Sequence, residues 1–130
     1  MRAWLVYLGR SIAQRIGMKR TPSAFADKRI IVGITFLDND GALIEQFQMH
    51  GRVVFASRAD GIVLVRPDGG RFVIPPSPHW LRAARPGEYR LRVSGEVVID
   101  PDYLMSATLS GTTPERIAIY KSSGFEGPFG

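Results

Sequence analysis

The chain has 130 residues, of which 45% are hydrophobic and 22% charged. That suits one domain with its own core and excludes a disordered or fibrous chain. Cysteine is absent, which excludes disulfides, thiolate metal sites and cysteine nucleophiles. The net charge of +5 is uneven, because residues 1–20 hold Arg2, Arg10, Arg15, Lys19 and Arg20 and no acid, whereas residues 28–130 hold 12 basic and 11 acidic groups.

Residues 3–17 read as an amphipathic helix. Leu5, Leu8, Ile12 and Ile16 recur at spacings of three and four and share one stripe. Arg10 falls on the far side, and Arg15 lies at the stripe's edge, where its stem can snorkel. With Trp4, Lys19 and Arg20, segment 1–20 is expected to be a basic amphipathic helix. It would meet an anionic membrane surface, a partner subunit or the body of its own chain. The apolar run from Ala3 to Gly9 falls short of the ~18–20 residues of a membrane span. Ala24-Phe25-Ala26 resembles a signal cleavage site, but the basic residues interrupt the apolar region a signal peptide needs, so no cleaved signal is expected. The expected location is the cytoplasm, with peripheral contact at the inner membrane left open.

Residues 21–27 read as a linker, and from Lys28 the period changes to two. Ile30, Val32, Ile34 and Phe36 alternate with Ile31, Gly33, Thr35 and Leu37, and both sets are largely apolar. A strand of that kind is central, or buried on both faces. Asp38-Asn39-Asp40-Gly41 marks a turn. Strands follow over Leu43–Met49, Val53–Ala56, Ile62–Val65 and Phe72–Ile74, separated by a bend at Gly51-Arg52 and turns at Asp60-Gly61 and Pro67–Gly70. Five short strands with tight glycine turns predict a mainly β fold, a small antiparallel barrel resembling SH3-like and Sm-like barrels, with the N-terminal helix before it.

Pro75, Pro76 and Pro78 break the pattern before a short turn around Trp80-Leu81. A second β unit follows, with Tyr89, Leu91 and Val93 on one side and Arg90 and Arg92 on the other. Ser94-Gly95 is placed as a two-residue hairpin loop before Glu96–Ile99. Asp100-Pro101-Asp102 turns into Tyr103–Leu109, which closes the body at 28–109. Residues 110–130 are expected to be a flexible tail, with one short alternating run over Arg116–Tyr120.

The runs GITFLDNDGALIEQFQMHG, DGIVLVRPDGGRFVIPP and PGEYRLRVSGEVVIDPDY resemble a family of short bacterial hypothetical proteins. The resemblance covers Lys28 to Leu109. It implies that the body is one unit, and it brings no activity, ligand or catalytic residue.

No catalytic constellation emerges from the residue types. His50 and His79 lie far apart, with no second histidine at helical spacing, so no metal site is expected. Asp38, Asp40, Asp100 and Asp102 fit turn chemistry better than hydrolysis or cation binding; a calcium loop starting at Asp38 would need Glu where Met49 stands. Neither a nucleophile elbow nor a phosphate loop is present. The candidate binding residues are Trp80, as a barrel plug or groove wall, Arg90 and Arg92 on one strand face, and Tyr103 near them in sequence. The expectation is a non-catalytic protein-interaction or assembly module without cofactor or small-molecule substrate, whose partner is another protein subunit. One alternative is an Sm-like RNA binder that gathers Arg52, Arg90 and Arg92 around a ring pore, although a nearly neutral body is a weak nucleic-acid ligand. A second is a small metal-dependent hydrolase using the Asp turns and His50.

Overall fold

The computed structural model describes the backbone of residues 5–9 and the whole of residues 27–77 and 79–129. The fold is mainly β. Its strands are β1 (Leu5–Gly9), β2 (Arg29–Leu37), β3 (Leu43–Ser57), β4 (Gly61–Val65), β5 (Arg71–Ile74), β6 (Leu81–Ala83), β7 (Glu88–Leu91), β8 (Val97–Ile99) and β9 (Tyr103–Leu109). One helix, α1 (Pro114–Ser123), follows. The strands form a six-stranded sheet in the order β5-β4-β3-β2-β9-β6 and a three-stranded sheet in the order β1-β7-β8.

β2 organises both layers, for the reason its sequence gives. Ile30, Val32, Ile34 and Phe36 enter one core with Val53, Leu64, Phe72, Ile74 and Met105. Ile31, on the opposite face, enters a second core with Tyr89, Leu91, Val98 and Leu104. The smaller sheet therefore covers the back of the larger one, and β2 is buried on both sides. Each such side chain contributes about 1.5–3 kcal/mol by leaving water.

β3 is one continuous strand rather than two, and it changes partner along its length. Leu43 to Arg52 run beside β2, and Arg52 to Ser57 run beside β4. Gly51 makes this possible, since a Cβ there would lie 2.8 Å from the carbonyl oxygen of Val65. Hence the expected bend is a change of neighbour within a strand.

The sheet does not close into a barrel: β5 and β6 are its two edges and do not pair. β2 and β9 run parallel, so the sheet is not wholly antiparallel either. The C-terminal segment lies where closure would need an open edge. Gly124 bridges Val73 of β5, and the Phe125 amide donates to the Val73 carbonyl at 2.8 Å. Phe125 meets Trp80 with ring centroids 5.5 Å apart, and Tyr120 joins Phe125 to Phe36 at 5.2 and 5.8 Å. These rings span the gap between β5 and the start of β6.

That packing corrects the expectation of a loose tail over 110–130. Thr113 caps α1 by accepting from the Arg116 amide, Pro114 opens the helix, and Glu115 and Lys121 suit its dipole. Gly124 ends it at φ 85°, donating to the Tyr120 carbonyl at 2.7 Å. The run Arg116–Tyr120 is helical, with Ile117 buried and Tyr120 half-buried.

At the other terminus, Leu5 to Gly9 form a strand antiparallel to β7, with Leu5 opposite Leu91 and Tyr7 opposite Tyr89. This replaces the expected helix over those five residues, Leu5 and Leu8 included. The backbone there satisfies the open edge of β7, a tertiary gain that outweighs helical periodicity. The rest of the expected helix, with Trp4, Arg10, Ile12, Arg15, Ile16, Lys19 and Arg20, lies outside the described residues.

Candidate functional site

The carboxylates of the turns hold backbone. Asp38 Oδ1 accepts from the amides of Asp40 and Ala42 at 2.9 Å. Asp100, buried and at φ 50°, accepts from the Gly87 amide at 2.8 Å. Asp102 Oδ2 accepts from the Arg29 amide at 2.8 Å, and the Asp102 amide donates back to the Arg29 carbonyl. Among the described residues no three His, Asp or Glu side chains stand together as a metal cradle.

The four binding residues expected from sequence are not brought to one place. Trp80 and Tyr103 pack against the larger core. Arg90 is exposed on β7, and Arg92 is exposed in the turn after it. That turn is longer than a two-residue loop: Gly95, at φ 78°, donates to the Leu91 carbonyl, and Leu91 donates to the Glu96 carbonyl. Val93 is consequently in solvent, 70% exposed, rather than on the side of Tyr89 and Leu91.

A different site lies where the smaller sheet overhangs the larger one. A groove of about 530 Å³ runs between β8 and the stretch where β3 leaves β2 for β4. One wall is β8. The other carries Arg29 of β2, His50 and Arg52 of β3, and Arg66 and Pro67 after β4. No Phe, Tyr or Trp lines it among the described residues. Two polar links hold the overhang in place: the Val93 amide donates to Gln48 Oε1 at 2.9 Å, and His50 Nε2 lies 3.1 Å from Glu96 Oε2.

The three arginines and His50 differ in how firmly they are held. Arg66 is fixed, its guanidinium donating to the carbonyls of Lys121 and Ser122 at the end of α1 and lying 5.1 Å over the Phe72 ring. Arg29 reaches only a long contact of 3.5 Å, to the Asp100 carbonyl. Arg52 pairs with Asp27 at 2.9 Å, but these side chains are 50% and 77% exposed. Glu96 is 53% exposed in its contact with His50. A pair as open as Arg52–Asp27 contributes about 0.2–1 kcal/mol, so an incoming carboxylate can replace Asp27 at little cost.

The β8 wall is open in its backbone as well as in its side chains. Asp100 donates to Gly87 and Leu91 donates to Glu96, which sets the phase of the β7–β8 ladder. By alternation the ladder bonds fall to Val98 opposite Tyr89. The N–H and C=O groups of Val97 and Ile99 then point away from β7, and β8 has no second neighbour among the described residues. Val98 is buried, whereas Val97 and Ile99 are each 46% exposed.

Sequence reading weighed His50 as a metal ligand and Arg52 as part of a ring pore; it missed Arg29, Arg66, Val97 and Ile99. One signal was available in Val97-Val98-Ile99, since three consecutive apolar residues on a strand must present at least one to the outer face. No protein-family model, curated protein or solved structure matches the chain. No helix among the described residues is long and apolar enough to cross a membrane.

Proposed function

We propose that this chain is a non-catalytic interaction module that receives a protein partner in the groove between β8 and the β3–β4 wall. The observation that carries this reading is the combination at one place of a strand edge unpaired among the described residues, two exposed apolar side chains and loosely held arginines. Strand edges are blunted or used; this one is short, and none of the described residues covers or bulges it. The RNA-binding alternative gains less support. Single-stranded bases bind by stacking on aromatic rings, and among the described residues that line the groove there is no Phe, Tyr or Trp and one imidazole, that of His50. Of the arginines expected around a pore, Arg52 stands in the groove, while Arg90 is on β7 and Arg92 in the turn after it.

The test compares what co-purifies with the tagged full chain from its own cells and with the double variant Arg52→Glu, Ile99→Asp. Both residues are half exposed, so the variant is expected to keep the wild-type circular dichroism. Loss of a stoichiometric protein from the variant supports the reading. Equal recovery of that protein with both chains, or enrichment of RNA alone, overturns it.

A further inference from the structure

The groove's chemistry specifies the partner further, an inference that rests on its being the docking site. We propose that it takes an extended, acidic peptide segment, which adds as a strand to β8. Three observations converge. Val97 and Ile99 present outward N–H and C=O groups in register for a new neighbour, and main-chain bonds of that kind bind any extended segment. Their side chains supply apolar contact on the outer face, at the period of two that alternate residues of such a segment would match. Across the groove, Arg29, Arg52 and His50 stand where the remaining side chains of the added strand would fall; Arg52 already pairs with the Asp27 carboxylate, and the His50 ring lies against that of Glu96. A carboxylate-bearing strand therefore meets complementary charge, whereas a basic one meets repulsion.

The probe is an eight-residue peptide alternating valine and glutamate, added to the full chain. Its controls are the valine–lysine counterpart, the same valine–glutamate peptide N-methylated at alternate residues, and an oligouridine. Binding is read by titration, and its place by amide hydrogen exchange at Val97 and Ile99. We expect the acidic peptide to bind and slow exchange at both amides. The N-methylated peptide should fail to bind, since it keeps the charge and loses the ladder. The lysine peptide, and the variant Arg52→Glu with the acidic peptide, should each bind about tenfold more weakly or worse. The N-methylated control leaves the protein untouched, so it reads out even if a variant misfolds.

Several results overturn the inference. They are no binding of the acidic peptide at millimolar concentration, equal binding of the N-methylated form, and protection that appears elsewhere. Preferential binding of the oligouridine does so as well. Protection of Val97 and Ile99 in the free chain that rises with protein concentration would assign the edge to a second copy, with the same consequence. If the peptide fails while the double variant still loses its partner from cells, strand addition falls and the docking site stands.

Discussion

The two faces of β2 have been covered in different ways. The face carrying Ile30, Val32, Ile34 and Phe36 is sealed by β4, β5, α1 and a run of rings from Phe36 through Tyr120 and Phe125 to Trp80. The face carrying Ile31 is covered by a three-stranded sheet whose last strand is three residues long and has no second neighbour among the described residues. The first arrangement spends apolar area on stability. The second stops short of full cover and leaves backbone, apolar surface and cations together at the margin, where a partner can complete the layer. On the proposed reading, stability and recognition separate onto opposite sides of one strand.

This contrast can be broken by substitution. Phe36→Ala, on the sealed face, should cost about 3–5 kcal/mol in denaturant unfolding. A cost below about 1 kcal/mol would mean that the face is not a tight core. Leu91→Ala in the smaller core should cost about 2–5 kcal/mol, falling below Phe36→Ala if that layer is the thinner one. Asp100→Ala removes the acceptor of the Gly87 amide in a buried turn and should cost about 1–3 kcal/mol, with Asp100→Asn, which keeps an oxygen and tolerates positive φ, recovering much of it. Thr113→Ala should cost about 1 kcal/mol through the lost helix cap, and thermal melting would register it as a small drop in Tm. Ile99→Asp closes the series: its effect on stability should stay within about 0.5 kcal/mol, although it stands in the groove.

What the sequence made legible follows the same division. Double alternation in Ile30–Leu37 identified the central strand, because burial on both faces leaves no polar phase. Asp38–Gly41 identified its hairpin, because Asx turns are local chemistry. The faults arose where distant partners decide. Leu5–Gly9 carries helical spacing and yet pairs with β7, because the sheet edge it satisfies is some eighty residues away in sequence. The C-terminal segment reads as polar and loose, with Thr113-Pro114-Glu115 as the overlooked helix start. The groove was hidden for a related reason. Arg29 is on β2, Arg52 on β3 and Arg66 follows β4; they become neighbours where the ladder sets Arg52 opposite both Arg29 and Val65.

The most direct measurement is photo-cross-linking in living cells, with the reactive side chain placed at Ile99 in one chain and at Ile119 of α1 in another. Both positions are about half exposed, so they differ in place rather than in access. The account predicts one discrete protein adduct at Ile99 and none at Ile119. An adduct of equal yield at Ile119, or capture only of nucleic acid at Ile99, would contradict it.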